Sequence, residues 1–352
     1  MKHLLVITQK VDEEDDLLGF FSDWLREFAR HFDRIFVITL AKGKINLPNN
    51  VVVYSLGKEQ GLSRVRMLFR FYALLMRLTP MSDGVFAHMS PIFAIAAWPL
   101  TFLFRKKLIL WYLHRSVTPK LKLALMLSDN LLTADTESLQ IRHKKIRAIG
   151  HGINIKKFSG TARSWEENAP LRVLGVGRIS PIKHFEVLIK AAGIVFQNGI
   201  DIKTTIVGKP VMPGDETYFD KIKHEASNQS IQGRITFSGY IPYSHMSSMY
   251  AHQDIAVGLT PSGGIDKTLL EAMASGCIIL TSNGVMAKYL GSYARHLIFE
   301  YENPEQLAQS LIWISRLSRK EKEEISRTMQ KSVVEHHNLE MLGHRIAQNF
   351  SL

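Results

Sequence analysis

Leu171-Arg172-Val173-Leu174-Gly175-Val176-Gly177-Arg178-Ile179-Ser180-Pro181-Ile182-Lys183 opens the second half of the chain as an apolar run ending in a glycine-bearing turn, and a helical pattern begins at Phe185. A strand, a turn and a helix in that order aim unpaired backbone N–H groups and the positive end of a helix dipole at one place, where an anion is favoured. Arg178 and Lys183 add counter-charge there. The spacing Gly175-x-Gly177-x-x-Ser180 also approaches a dinucleotide fingerprint. The next strand, Thr204 to Val207, is however followed by Gly208-Lys209-Pro210, with no acidic side chain for a ribose, so the anion site is preferred over a nicotinamide site.

Outward from this stretch, short β-rich runs alternate with longer segments of helical period, the pattern of parallel sheets. In the first half, strands are expected at His3 to Thr8, Ile35 to Leu40, Val51 to Ser55, Gly84 to His88, Lys107 to Leu113, Asn130 to Thr133 and Arg147 to Ile149. In the second half they are expected at Leu171 to Val176, Thr204 to Val207, Arg234 to Phe237, Ile255 to Gly258 and Cys277 to Thr281. Two doubly wound α/β domains follow, and 352 residues suffice for two ordinary cores. The polar stretch from His151 to Pro170 is the linker candidate. Gly84 to Phe104 carries no charged residue, but Pro91 and Pro99 favour a buried strand and a proline-started core helix over a membrane span.

Hydrophobic residues make up 46% and charged residues 22%, which excludes a disordered chain and a polytopic membrane protein. Cys277 is the only cysteine, so no internal disulfide and no all-cysteine zinc site can form, and a reducing, cytoplasmic setting is expected. Leu4 to Ile7 is too short an apolar run for a signal-peptide core and reads as a first strand. The formal charge is +12, of which residues 1–155 contribute +9 from 22 basic and 13 acidic side chains. Such a half suits nucleic acid, anionic lipid or a phosphorylated substrate. Along Leu62 to Leu78, Arg66, Arg70 and Arg77 fall within about 40° of arc at 100° per residue, either a solvated face over a core stripe or a face for an anionic membrane.

The second chemical signal runs Thr260-Pro261-Ser262-Gly263-Gly264-Ile265-Asp266-Lys267-Thr268-Leu269-Leu270-Glu271-Ala272-Met273-Ala274-Ser275-Gly276. A strand leads into a glycine-rich loop and a short helix, so further N–H groups face the same crevice. A carboxylate such as Glu271 can accept two hydroxyl hydrogen bonds, as a sugar diol offers.

Together these two segments resemble the donor half of glycosyltransferase family 4, the retaining, GT-B-fold enzymes that use nucleotide sugars. Val207-Gly208, Phe237-Ser238-Gly239-Tyr240, Asp254, Gly150-His151-Gly152-Ile153-Asn154 and Trp111-Tyr112-Leu113-His114 extend the resemblance over nearly the whole chain. It implies two Rossmann-like domains facing across a cleft: an acceptor-side domain over 1–158 with 332–352 crossing back to it, and a donor-binding domain over 159–331. A final helix, Glu340 to Phe350, would then pack on the first domain. The resemblance further implies that Gly177, Arg178 and Lys183 hold the diphosphate, that backbone at Leu269 and Leu270 adds donors, and that Glu271 takes the ribose. Leu18-Gly19-Phe20 resembles the segment that closes over the donor, with Gly19 as its donor contact, and His114 is the first-domain active-site residue.

The chain also departs from the family. Gly263 stands where the usual E-x7-E pattern has its first Glu, so the sugar contact is either missing or supplied by Asp266 or Lys267, and the donor sugar is left open. His184 replaces the usual glycine after the lysine and is expected to face solvent, and Asn154 stands near a common aspartate. His88 also follows an apolar strand and competes with His114, while Arg115 and Ser116 are candidates for an acceptor phosphate. The implied chemistry is retaining transfer in which the leaving diphosphate deprotonates the acceptor hydroxyl on the same face, with Arg178, Lys183 and helix-end amides balancing its charge. That scheme requires no metal or other cofactor, and the run Asp12 to Asp16 is expected to be solvated. The expected partners are a nucleotide-sugar donor and a lipid-linked or surface-polysaccharide acceptor, with the basic domain peripheral on the inner face of the plasma membrane and no nucleic acid. A GT-B nucleotide-sugar epimerase and a basic nucleic-acid-binding module are the alternatives.

Overall fold

The computed structural model describes residues 2–159, 165, 169–228, 231, 233–260 and 263–350. Gly160, Thr161 and Glu166 to Asn168 of the linker candidate lie outside the described residues, as do Pro261 and Ser262 of the glycine-rich loop. The chain divides into one unit of Met1–Asn154, Pro242–Ser244 and His337–Leu352, and a second of Ile155–Ile241 and His245–His336. The chain thus passes into the second unit at 154/155 rather than 158/159, and returns at His337 rather than 332.

The first unit contains β1 (His3–Val11), α1 (Phe21–Phe28), β2 (Arg34–Lys42), β3 (Val51–Ser55), α2 (Arg64–Leu78), β4 (Gly84–His88), α3 (Pro91–Leu103), β5 (Lys107–Trp111), α4 (Pro119–Leu127), β6 (Asn130–Thr133) and β7 (Ile146–Ala148). All seven strands are parallel, in the order β3-β2-β1-β4-β5-β6-β7, so the strand order reverses between β1 and β4. Alternate strand residues point to opposite faces, and both faces are covered, which is why these strands read as continuous apolar runs. Leu5, Ile7, Ile38 and Val85 meet Phe71 and Leu75 of α2, Ala94 and Ala97 of α3, and Leu121 and Ala124 of α4. Leu4, Val6, Val37 and Phe86 point the other way, onto Trp24 and Phe28 of α1 and the chain's last helix. Ser63 caps α2 by accepting from the Arg66 N–H, and Thr118 caps α4 through the Leu121 N–H. Pro91 occupies the first turn of α3, where its missing N–H costs nothing. No described helix is long and apolar enough to cross a membrane.

The second unit begins with α5 (Ile155–Phe158) and continues through β8 (Leu171–Val176), α6 (Phe185–Gln197), β9 (Ile202–Val207), α7 (Asp215–Asn228), β10 (Ile235–Gly239), α8 (Met246–Ala251), β11 (Ile255–Gly258), α9 (Lys267–Ala274) and β12 (Ile278–Thr281). The helices α10 (Ala287–Leu290), α11 (Ala294–Leu297), α12 (Pro304–Arg316) and α13 (Arg319–His337) complete it. Its five strands are also parallel, in the order β10-β9-β8-β11-β12, with the reversal between β8 and β11. At the amino-terminal ends of these two strands Arg172 grips Asp254 through Nε at 3.0 Å and Nη2 at 2.8 Å. That bidentate pair fixes the neighbouring strands, and with them the loops at their far ends. The last helix, α14 (Leu339–Phe350), belongs to the first unit and packs on α1. Gly84 makes room for it, since a Cβ there would lie 2.4 Å from the Phe350 ring.

Candidate active site

Open α/β sheets bind ligands beyond the carboxyl ends of the strands where the order reverses. In the second unit that place is formed by the loops after β8 and β11, which carry the two sequence signals. The loop after β8 turns at Gly177, whose φ of 154° is unfavourable to any side chain, and Gly208 follows β9 with φ 150°. A Cβ on Gly208 would stand 1.9 Å from the Gly177 carbonyl oxygen, so the two backbones can touch only with glycine at 208. Gly177 N–H donates to the Val207 carbonyl at 3.0 Å and Ile179 N–H to the Lys209 carbonyl at 3.0 Å. The Lys183 side chain folds over Gly177, where a Cβ would meet its Cε at 2.7 Å.

Lys183 bridges the two loops. Its Nζ lies 3.5 Å from Oδ2 of Asp266, the residue that caps α9. Asp266 also accepts from the Thr268 N–H at 3.0 Å and the Thr268 hydroxyl at 2.7 Å. Burial pushes the Asp266 carboxyl up, but the charge of Lys183 and the Thr268 hydrogen bonds outweigh it and hold the pKa below the usual range. Arg178 faces Asp215 at the start of α7, Nε to Oδ2 3.7 Å. Backbone hydrogen bonds from Met212 and Val211 lower the Asp215 pKa. Each cation therefore already faces one carboxylate and can take a second, anionic partner. Asp215 was not singled out in the sequence; its place four residues after Val211, at a helix start, is the signal that could have found it.

The structure corrects two expectations in this unit. Leu270 does not contribute an outward donor, because the Asp266 cap makes it the fourth helical residue and its N–H bonds to the Asp266 carbonyl at 3.3 Å. The amide of Leu269 belongs to the first turn, where no intrahelical acceptor exists. His184 is half-buried and paired rather than simply turned out to solvent: its Nε2 lies 2.6 Å from the Tyr301 hydroxyl and its Nδ1 3.4 Å from Glu302. Its φ of 43° is the left-handed conformation that glycine adopts freely, which accounts for the family's usual residue at this position. Tyr218 completes the support by accepting from the Phe185 N–H at 2.7 Å and donating to Glu186 at 2.5 Å, which anchors the start of α6 beside Lys183.

Glu271, one turn into α9, is 3% exposed. Its Oε1 pairs with Lys267 on the same helix face, and its Oε2 accepts from the Tyr250 hydroxyl at 3.4 Å. Burial first, and then the Glu271 charge, push the Tyr250 phenol well up, so it stays a donor. Sequence reading gave Lys267 only a provisional sugar role; the i,i+4 spacing to Glu271 is the signal for the pair.

Gly19 and His114 lie in the first unit, each beyond the carboxyl end of a strand. Gly19 N–H closes a turn onto the Asp15 carbonyl at 3.2 Å, and a Cβ there would be 2.9 Å from that oxygen. His114 is exposed, three residues past the end of β5, with its ring edge-on to Tyr112 at 5.4 Å. His88 is fully buried, stacked 3.9 Å from Phe21, with Nδ1 3.0 Å from the Thr8 hydroxyl. Burial lowers its pKa to about 3, so it is a neutral core residue and not a competitor of His114 for a ligand. The acidic run is not simply solvated either. Asp12 and Asp15 both clasp Lys10, at 2.9 and 2.7 Å, Glu13 pairs with Arg26 and Glu14 with Lys44.

Comparisons with known proteins agree with this geometry. Residues 162–332 match the family model described as Glycosyl transferases group 1. Mannosylfructose-phosphate synthase of Agrobacterium fabrum is 24% identical over 173 residues, covering 46% of this chain and 38% of the relative. Alpha-monoglucosyldiacylglycerol synthase of Streptococcus pneumoniae is 27% identical over 145 residues, 38% of this chain and 32% of the relative. The matches thus span roughly a third of the length of these curated relatives. Among solved structures, HepE of Anabaena, in complex with UDP, superposes with a TM-score of 0.76 at 16% identity, covering 99% of both chains. Sucrose-phosphate synthase of Thermosynechococcus elongatus gives a TM-score of 0.76 at 15% identity, over 99% of this chain and 98% of that one. At these identities the structural likeness speaks for the fold, which is GT-B. Residues 162–332, just under half of the chain, thus resemble the group 1 glycosyl transferases.

Proposed function

We propose that the protein is a retaining glycosyltransferase that moves a sugar from a nucleoside diphosphate donor to a lipid-linked or surface-polysaccharide acceptor. One observation carries the reading: Lys183, from the loop after β8, stands beside the capped amino terminus of α9, from the loop after β11, with Nζ 3.5 Å from the capping Asp266. That juxtaposition sets an ammonium group, a guanidinium and helix-start amides at one strand-order reversal, the electrostatics a departing diphosphate demands. HepE of Anabaena has been solved with UDP and with UDP-glucose, which supports a nucleotide-sugar donor of this kind for the present chain.

In this reading the glycosidic C–O bond to the diphosphate breaks first, and Lys183 and Arg178 balance the charge left on the phosphate oxygens. The acceptor hydroxyl attacks the oxocarbenium-like sugar from the face the diphosphate leaves, and its proton passes to a diphosphate oxygen, so the anomeric configuration is retained. Asp266 orients Lys183 and stands three residues along the chain from Gly263, the place of the family's missing Glu. Leu269 offers its amide, and Glu271, released from Lys267, takes the ribose. His114 and Gly19 serve from the first unit, His114 toward the sugar or acceptor. The counter-charges are the protein's own, so no metal or cofactor is assigned. A lipid-linked acceptor places the protein at the cytoplasmic face of an anionic membrane, in keeping with the charge of +9 on residues 1–155.

The test is a thermal-shift titration with nucleoside diphosphates, followed by release of nucleoside diphosphate from activated sugars. A ligand bound by the folded state at a hundred times its Kd stabilises it by about 2.7 kcal/mol. No shift with any nucleoside diphosphate, or shifts unchanged in both Lys183→Ala and Arg178→Ala, would overturn the reading.

A further inference from the structure

We infer that the outer side of α2, α3 and α4 is a docking surface for an anionic lipid bilayer. The inference takes from the proposed function only its membrane-held acceptor. The helix α2 carries two apolar stripes. Phe71, Leu75 and Leu78 face the sheet and are buried. Val65, Phe69, Tyr72 and Met76 lie within about 60° of arc at 100° per residue, on a different side of the helix, and are 63%, 75%, 40% and 52% exposed. Arg66, Arg70 and Arg77 form the row between the two stripes, and all three are exposed.

A helix that merely covers a core has no use for a second stripe of large apolar side chains in water. The apolar surface continues on the neighbouring helices of the same layer, where Phe102 and Leu103 of α3 and Met126 of α4 are 72%, 64% and 72% exposed. Arg105, Lys120 and Lys122 are exposed among them. Residues 60–128 contain ten basic side chains and one acidic one, Asp83.

The charge selects the occupant. A second copy of this chain would bring a like field against itself, and an apolar cleft in a neutral partner would leave the arginines without counter-charge. An anionic bilayer satisfies both halves of the surface: acyl chains take Phe69, Met76 and Phe102, while headgroups take the arginine row. Tyr72 suits the boundary between them, having an apolar ring and a polar tip.

Flotation of the full chain with vesicles tests this. The protein is expected to float with vesicles of equal phosphatidylcholine and phosphatidylglycerol, and to remain behind with phosphatidylcholine alone. The pair Phe69→Ser and Met76→Ser, both at exposed positions, should lower partition by about tenfold or more while the melting temperature holds. Each of Arg66→Gln, Arg70→Gln and Arg77→Gln should lower it about fivefold, with the loss disappearing in high salt. Val334→Ser, an exposed apolar site in the second unit, should change nothing. Binding that ignores the phosphatidylglycerol, binding unaffected by the Phe69 and Met76 changes, or a solution dimer that those changes dissociate would each overturn the inference. Thermal shift with nucleoside diphosphates on the same variants reads the donor site separately, so failure at one site is told from failure at the other.

Discussion

The two units share a topology and differ in what stands at the carboxyl ends of their reversal-point strands. In the second unit the loops after β8 and β11 present Arg178, Lys183 and the start of α9. In the first unit Thr8 of β1 and His88 at the end of β4 are sealed beneath Phe21 and Trp24, with Trp111 edge-on to Trp24 at 5.0 Å. The same strand order around the reversal thus gives a charged cradle in one unit and an aromatic plug in the other. A doubly wound sheet supplies a place for a ligand, but side chains decide whether that place is polar and open or filled. The exposed His114, beyond the next strand, is where the first unit offers an imidazole to solvent.

The largest expected effect is on the charged side of this comparison. Lys183→Ala should cut turnover by about a hundredfold to a thousandfold, equivalent to about 3 to 4 kcal/mol of transition-state stabilisation, while the unfolding midpoint in urea stays put. Arg178→Ala should follow it; steady-state release of nucleoside diphosphate measures both, and wild-type rates in the two variants would break the contrast. Next comes Gly208→Ala, which drives a methyl into the Gly177 carbonyl at a positive φ and should destabilise by about 2 to 3 kcal/mol in urea unfolding.

The aromatic side is sharpened by acid. His88 titrates near 6.5 when unfolded and at about 3 when folded, so between those values the unfolded state holds the extra proton. Stability from its burial is therefore complete above pH 6.5 and falls by about 1.4 kcal/mol per pH unit below it, toward pH 3. Urea midpoints recorded from pH 7 to 5 should show this slope in the wild type and lose the His88 part of it in His88→Phe. A slope unchanged by that substitution would mean that His88 already accepts its proton in the folded protein. The smallest effect is His184→Gly. Relief of a left-handed backbone and loss of the Tyr301 hydrogen bond are each worth about 1 kcal/mol, so stability should move by less than that, and a larger drop would assign His184 a supporting role for Lys183.

Much of the architecture was legible because a parallel sheet covered on both faces writes itself as apolar runs separated by helical periods. The strands at Val51 to Ser55, Gly84 to His88 and Leu171 to Val176 begin and end where the sequence indicates. The strand after Lys107 stops at Trp111 instead of Leu113: Tyr112 still gives its N–H to the Leu132 carbonyl, and its hydroxyl donates to the Ser116 carbonyl in the loop that follows. Gly177, Arg178 and Lys183 could be singled out together because glycine, base and helix start are adjacent in the chain. Partnership was not. That Lys183 meets Asp266, that Arg178 meets Asp215 and that Glu271 is also taken by Tyr250 depends on contacts between segments up to 83 residues apart.

By itself the sequence determined the two parallel sheets, the glycine-bearing loops after β8 and β11 and the basic character of the first half, all of which follow from short-range periodicity, turn chemistry and charge. Only the tertiary structure decided which histidine is sealed and which is open, which apolar stripe of α2 faces the core, and which carboxylate holds each cation. Burial and pairing are properties of neighbours in space. A histidine after an apolar strand, or a leucine on a helix, has the same local sequence whether its other side is water or protein.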